Sequence, residues 1–128
     1  RAHLARAALE GITLQVADIV RAMETNANDA TNGLRVHELR VDGGASTNDL
    51  LMQMQADVLG IPIVRSQTSE ATVLGACYLA GLGAGIWSNV EQLERQWSES
   101  RRFHPQSNPE ERSHKLAEWH QAIHRARG

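Results

Sequence analysis

The chain has 128 residues, of which 41% are hydrophobic and 22% charged, and its 13 basic and 15 acidic residues give a formal net charge of −2. This size and composition fit one small globular domain or one lobe of a larger one, and the charge balance argues against binding to nucleic acid or to a membrane. No apolar run reaches the roughly 20 residues of a membrane span, and the single cysteine, Cys77, excludes an intrachain disulfide and indicates a reducing, cytoplasmic location.

An apolar stripe with helical spacing opens the chain. It comprises Leu4, Ala8, Ile12, Val16, Ile19, Val20 and Met23. This spacing predicts one helix of about twenty residues, which is expected to end in the polar, turn-rich stretch 26–33. Because Arg1 leads almost directly into this helix, with no initiator methionine and no cap sequence, we expect the chain to be cut from a longer protein.

Two strand–helix units follow. Residues 36–41 are predicted to form a strand that stops at Asp42-Gly43-Gly44-Ala45. Ser46, with Asp49 three residues later, is predicted to cap a second helix that ends at Gly60. Residues 61–65 read as a short strand, in which Pro62 indicates either a sheet edge or a strand start.

The remainder of the chain is predicted to be helical. A third helix over residues 70–82, capped by Ser69, is so rich in glycine and alanine that we expect another backbone or a ligand to approach it closely. Residues 90–97 read as a short helix, and Asn108 followed by Pro109 predicts the start of the last one. We therefore predict that residues 88–128 form a C-terminal helical extension.

The order helix, strand, helix, strand, helix predicts an α/β fold with parallel strands and a right-handed crossover. Ligands of such folds bind at the carboxyl ends of the strands, which here means residues 42–48. Two adjacent glycines at this place permit a positive φ and remove side chains that would hold a ligand away from the backbone. The turn is therefore either a phosphate-binding site at a helix N-terminus or a purely structural tight turn.

Other candidate chemistry is weaker. Ser46 lies in a sequence similar to a nucleophile elbow, but Asn48 stands where the second glycine belongs, so a helix cap is the preferred role for Ser46. Asp42 fits a general base, a metal partner or a turn residue. His120 and His124 lie four residues apart, but without a third ligand nearby we expect a ligand-free pair.

Several segments resemble glycerol kinases. Residues 39–45 (LRVDGGA) and 48–53 (NDLLMQ) are similar to the second nucleotide-binding segment of that family. The resemblance returns at residues 71–82 (ATVLGACYLAGL) and 85–87 (GIW). The opening residues 3–10 (HLARAALE) look like the end of a signature shared by the wider sugar-kinase family.

This resemblance implies an actin-like (ribonuclease H-like) ATPase fold with ATP in a cleft between two lobes. Residues 1–128 would form the C-terminal portion of the second, nucleotide-binding lobe. The resemblance implies that Gly44, the second glycine of the pair, approaches the nucleotide phosphates, and that Asn48 contacts the adenosine end. The predicted nucleotide-binding residues are therefore Gly43, Gly44 and Asn48. The family's glycerol-contacting residues, its aspartate base and most of its Mg²⁺ site belong to other parts of the enzyme. No catalytic or metal-binding residue is therefore predicted in this chain.

The implied activity is transfer of the γ-phosphoryl group of ATP to glycerol, giving glycerol 3-phosphate and ADP. We expect the parent enzyme to be a cytoplasmic homo-oligomer that binds neither nucleic acid nor membranes. One alternative is another kinase of the same superfamily, such as a xylulose kinase. The other is a non-catalytic, actin-like nucleotide-binding module. Residues 52–57 and 85–87 favour a glycerol kinase over both.

Overall fold

The computed structural model describes residues 1–31 and 35–128, and gives side chains for residues 1–26 and 35–128. Within these ranges the chain forms, in order, α1 (Ala2–Thr31), β1 (Leu39–Val41), a 3-10 turn (Gly44–Thr47), α2 (Asp49–Leu59), β2 (Ile63–Ser66), α3 (Ala71–Gly83), α4 (Val90–Glu94), β3 (Glu99–Phe103) and α5 (Pro109–Arg127). The predicted order helix, strand, helix, strand, helix is confirmed. None of these helices combines the length and hydrophobicity that crossing a bilayer requires.

The three strands form one small sheet in the order β1-β2-β3. β1 and β2 are parallel, as predicted, with Leu39 opposite Ile63. Pro62 immediately precedes β2, so it lies at a strand start as one alternative had it, but β2 is the central strand and not an edge. Central position explains why Ile63 and Val64 are completely buried.

Strand β3 was not predicted. It pairs antiparallel with β2, with Phe103 opposite Ile63, so the segment 88–128 is not purely helical. Its sequence, ESRRF, lacks the apolar alternation of a half-buried strand, and Phe103 is its buried residue. The strand is formed through tertiary pairing, which a pattern search along the chain does not detect.

Helix α2 lies at the centre of the packing. One of its faces packs on the sheet, in a cluster of Leu51, Met52, Ala56, Ile63 and Phe103. Another face packs on α1 and α5, in a cluster of Leu14, Ala17, Val58 and Leu116. Because both clusters include α2, the start of this helix is held in a defined position relative to the sheet. Its end is capped by Gly60 in the left-handed conformation, as predicted.

Helix α1 has 30 residues and ends at Thr31, inside the predicted stretch, but it is longer than the predicted length of about twenty residues. Gly33 lies outside the described residues. The predicted apolar stripe matches the buried face of the helix only in part, because Val20 belongs to both. Ile12, Ile19 and Met23 are exposed, whereas Thr13, Leu14, Ala17 and Val20 are buried. The helix therefore carries two apolar faces, and only one of them packs against α2 and α5 in this chain.

Helix α3 has the predicted position but not the predicted cap. Glu70, and not Ser69, precedes its first residue, and no side chain caps that end. A close approach occurs at Gly81, but it is made by a side chain and not by the expected backbone or ligand, because a β-carbon at Gly81 would collide with the Trp87 indole. Val73 and Leu79 on α3 are exposed, so most of the surface of this apolar helix is not packed against other parts of the chain.

The C-terminal helices differ in how well they were predicted. Helix α4 ends at Glu94, which is shorter than the predicted range 90–97. Helix α5 starts as predicted, since the Asn108 side chain accepts a hydrogen bond from the Glu111 N–H and Pro109 occupies the first turn. Leu116 of this helix is buried and Trp119 is partly buried.

Candidate functional site

The Gly-Gly turn follows β1 directly at its carboxyl end, where the parallel strands predict a ligand. Gly43 has φ 79° and ψ 175°, a combination that is essentially restricted to glycine. Gly44 has an ordinary φ, and a β-carbon there would meet no atom within 4 Å. The two glycines therefore differ. Gly43 makes the turn possible, and Gly44 keeps the surface beside it open.

The 3-10 turn after the glycines is held by its own side chains. Ser46 is buried, and its hydroxyl donates to the Gly43 carbonyl at 2.7 Å. Thr47 donates in the same way to the Gly44 carbonyl at 2.7 Å. The prediction that Ser46 caps the second helix is wrong, because Ser46 lies inside this turn and Asn48 is the residue that caps α2. With its hydroxyl committed inside the turn, Ser46 is also unsuited to act as a nucleophile.

Asn48 is the cap of α2. Its side-chain oxygen Oδ1 accepts a hydrogen bond from the Leu51 N–H at 3.2 Å. The side chain is exposed, and its Nδ2 donates to no acceptor in the described residues. A single asparagine can thus cap a helix with its oxygen and offer its amide hydrogens to a ligand.

The backbone of the turn also presents free donors. The N–H groups of Ser46 and Asn48 bond within the turn. Those of Gly44 and Ala45 donate to no acceptor in residues 1–31 and 35–128. Both residues are exposed. Unpaired N–H groups at a helix start form a natural binding place for a phosphate oxygen.

Comparison with known proteins assigns the chain to a family. Residues 1–84 match the C-terminal domain of the FGGY family of carbohydrate kinases. The chain belongs to this family. A glycerol kinase from Aromatoleum aromaticum is 54% identical over 127 residues, which is 99% of this chain and 25% of that relative. The predicted resemblance to glycerol kinases is therefore confirmed.

Solved structures agree with this FGGY assignment. The structure of Plasmodium falciparum glycerol kinase with ADP matches 98% of the chain and 24% of that protein, with a TM-score of 0.78 and 35% identity. A ligand-bound xylulose kinase from Lactobacillus acidophilus matches 96% of the chain and 24% of that protein, with a TM-score of 0.70 and 24% identity, which shows the fold alone. The chain is an α/β part of an actin-like ATPase lobe, as predicted. It spans about a quarter of the length of these proteins.

A charged cluster beside the turn was missed from the sequence. Arg65, at the end of β2, donates to the Ser46 carbonyl at 2.9 Å and to the Asp49 carboxylate at 2.8 Å. Arg101 on β3 binds the other oxygen of Asp49. The position of Arg65 at the end of a parallel strand only weakly predicts that it binds the neighbouring turn. Arg101 could not be assigned to the cluster from the sequence, because it lies on the strand that was not predicted.

A small cavity lies beside the turn in this kinase segment. It has a volume of about 180 Å³ and is lined by residues from the ends of β1 and β2 and from α3, including Asp42, Thr68 and Gly75. Sites for small molecules are usually about 300–1,000 Å³. This cavity is therefore smaller than a typical small-molecule site.

The other candidates do not assemble into a site. His120 binds Asp18 at 2.9 Å, and His124 is not part of any metal-type cluster. Across residues 1–31 and 35–128, no group of three or more His, Cys, Asp or Glu side chains is arranged to hold a metal ion. Asp42 is exposed beside the turn.

Proposed function

We propose that this chain supplies one wall of the ATP-binding cleft of a glycerol kinase. The whole protein transfers the γ-phosphoryl group of ATP to glycerol and releases ADP. Residues 1–128 form the C-terminal portion of its nucleotide-binding lobe. One observation supports this most strongly: the open Gly43-Gly44 turn stands at the carboxyl end of a parallel strand, within a segment that matches glycerol kinases over nearly its whole length.

The turn contributes binding and orientation. The open side of Gly44 lets the phosphates approach the backbone, where the N–H groups of Gly44 and Ala45 have no protein acceptor in the described residues. Asn48 offers its amide Nδ2 to the adenosine end while its oxygen caps α2. Gly43 sets the direction of the chain into the turn. Each of these roles positions ATP, and none moves a proton or an electron pair.

The residues that the structure describes do not fit a Mg²⁺ site. Asp49, the carboxylate next to Asn48, is occupied by Arg65 and Arg101, and Asp42 belongs to no group of three or more metal-type side chains among the described residues. When bound, Mg²⁺ neutralises charge on the transferring phosphates. In the proposed enzyme it is held mainly by groups outside this chain, as are glycerol and the catalytic base.

Location and assembly belong to the same proposal. A kinase that consumes ATP and a small polyol fits the cytoplasm, and the single cysteine agrees with a reducing compartment. We further propose that the whole enzyme is a homo-oligomer whose ligands are ATP, ADP and glycerol.

The test is an acceptor screen with the full-length protein that carries this segment. ADP release is measured by a coupled assay with glycerol, with xylulose and with no acceptor. We expect glycerol-dependent release well above both other reactions. Preference for xylulose would support the other member of the superfamily, and release without any acceptor would support a nucleotide-hydrolysing module.

A further inference from the structure

Arg65 connects the central strand of the sheet to the Gly-Gly turn. It lies at the carboxyl end of β2, where Val64 is completely buried, so its backbone is firmly placed. From there its Nη1 reaches both the Ser46 carbonyl, at 2.9 Å, and the Asp49 carboxylate, at 2.8 Å. These two acceptors lie on either side of Asn48, so one guanidinium ties both flanks of that residue to the sheet.

The surroundings of Arg65 hold its guanidinium in place. Its side chain is only 18% exposed, against 53% for Arg101. Its guanidinium lies 5.5 Å from the centre of the Phe103 ring, and Phe103 is itself buried. Its Nε is 3.3 Å from the Ser100 hydroxyl. A side chain held on several sides loses little further entropy when it binds the turn, which suits it to a positioning role.

The cluster also controls charge at the turn. Asp49 is the first residue of α2, and its carboxylate stands at the same helix end as the free N–H groups of the turn. An unpaired carboxylate there would repel the phosphates of a nucleotide. Arg65 and Arg101 each bind one of its oxygens and offset its charge.

We propose that Arg65 is a positioning residue for the nucleotide. It holds the Ser46 carbonyl and the Asp49 carboxylate so that Gly44 and Asn48 keep the spacing that ATP requires, and it shields the phosphates from Asp49. This inference rests on the proposed function, because it concerns the same nucleotide site. In this role Arg65 touches neither ATP nor glycerol.

The experiment uses the full-length protein with the variants Arg65→Met, Arg65→Lys and the double variant Arg65→Met with Asp49→Asn. The matched control is Arg102→Met, because Arg102 lies on the neighbouring strand and is paired with Glu38 and Glu99. Calorimetry gives the Kd for ATP, ADP and adenosine separately. Steady-state kinetics give kcat and the KM for ATP and for glycerol.

We expect Arg65→Met to weaken ATP binding by at least about tenfold, the lower limit for loss of one hydrogen bond to a charged group, here Asp49. The binding of ADP should be weakened less than that of ATP, because ADP carries less negative charge. The binding of adenosine should be weakened least, because adenosine is neutral. The KM for glycerol should stay as in the wild type. Arg65→Lys and the added Asp49→Asn should each restore part of the ATP affinity, and Arg102→Met should not alter it.

Two results would overturn the inference while leaving the proposed function intact. One is a wild-type ATP affinity in Arg65→Met. The other is an equal loss of affinity for ATP, ADP, adenosine and glycerol with a lowered melting temperature, which would assign Arg65 to general stability. A wild-type protein that binds no nucleotide and phosphorylates no glycerol would overturn both proposals.

Discussion

Neighbouring glycines with the same sequence signature have different physical roles. Gly43 carries the positive φ, whereas the role of Gly44 is to leave space. The distinction can be tested because the same substitution, glycine to alanine, should have different effects at the two positions. A side chain at Gly43 strains the backbone of the protein even without a ligand. A side chain at Gly44 meets no protein atom within 4 Å and would meet the phosphates of ATP only under the proposed function.

Gly44→Ala should therefore weaken ATP binding and leave the protein as stable as before. We expect a change in unfolding free energy within about 0.5 kcal/mol, as for other surface substitutions, and an ATP Kd raised at least about tenfold by contact with the phosphates. Gly43→Ala is the comparison, and it should cost about 1–3 kcal/mol of stability. Melting curves and ATP titration of both full-length variants provide the measurement. Wild-type ATP affinity in Gly44→Ala would show that no phosphate lies against this turn.

Asn48 has a structural role as the cap of α2 and, under the proposed function, a binding role as well. The cap role predicts that Asn48→Ala loses about 1 kcal/mol of stability. Its effect on ATP alone would then be ambiguous. Asn48→Ser resolves this, because a serine oxygen can still cap α2 but the amide hydrogens are gone.

Asn48→Ser should keep the melting temperature close to that of the wild type and weaken ATP by about three- to twelve-fold, the loss of one neutral hydrogen bond. Added ATP should then raise its melting temperature less than it does for the wild type. Melting curves with and without ATP decide the matter. If Asn48→Ser is stabilised by ATP as much as the wild type, Asn48 is a cap and not a nucleotide contact.

At the scale of elements, the partly buried carboxylate of Asp18 on α1 links this helix to α5. Asp18 accepts hydrogen bonds from the Trp119 indole at 2.8 Å and from His120 at 2.9 Å. Burial raises the pKa of Asp18, but these hydrogen bonds and the charges of His120 and Arg21 together outweigh burial, so its pKa lies below the ordinary value of 3.8. The ionised form is thus the one that the folded state favours.

The stabilisation that Asp18 provides depends on pH. Asp18 contributes its full stabilisation above its ordinary pKa, and the contribution is lost as the pH falls through the lowered folded-state pKa. At neutral pH, Asp18→Asn should make local opening of α5 easier by about 1 kcal/mol, because the side chain is partly exposed. Amide hydrogen exchange of α5 in the full-length protein measures this.

The difference between wild type and Asp18→Asn should shrink when the pH falls below 4. Glu118→Gln is the matched control, since Glu118 is largely exposed and pairs only with His114 on its own helix in the described residues. The control should leave α5 protection unchanged. An Asp18→Asn difference that persists undiminished in acid would show that packing, and not the ionised carboxylate, fastens α5.

At the scale of the whole molecule, several large hydrophobic side chains are exposed to solvent. Leu4 is 77% exposed, Leu79 73% and Ile86 71%. They lie on α1, on α3 and just after α3, so the bare surface is spread over separate elements. Under the proposed function, the remaining parts of the kinase cover these side chains.

The 128-residue chain by itself should therefore bind a hydrophobic dye or self-associate, and it should show no glycerol phosphorylation. The second expectation follows because no catalytic base and no substrate pocket are assigned to it. Light scattering and a coupled ADP assay on the purified chain test both. Glycerol-dependent turnover above background would contradict the division of roles proposed here.

Features encoded by near neighbours in the chain were predictable. Gly43 and Gly44 before a helix predicted the turn, Asn108 and Pro109 predicted the start of α5, and Gly60 predicted the end of α2. Each of these depends on backbone conformation or on hydrogen bonds within a few residues, so the local sequence carries the necessary information. The parallel pairing of β1 and β2 followed from the order of elements.

What the tertiary structure decided depends on residues far apart in the chain. The apolar periodicity of α1 established a helix, but only packing against Val58 and Leu116 selected the face with Leu14 and Ala17. Strand β3 forms because the edge of β2 is available to it. Arg65 acquires its role from Ser46 and Asp49, which other elements bring within hydrogen-bond distance. Burial and ion pairing depend on the identity of spatial neighbours, and these are set by the fold and not by spacing along the sequence.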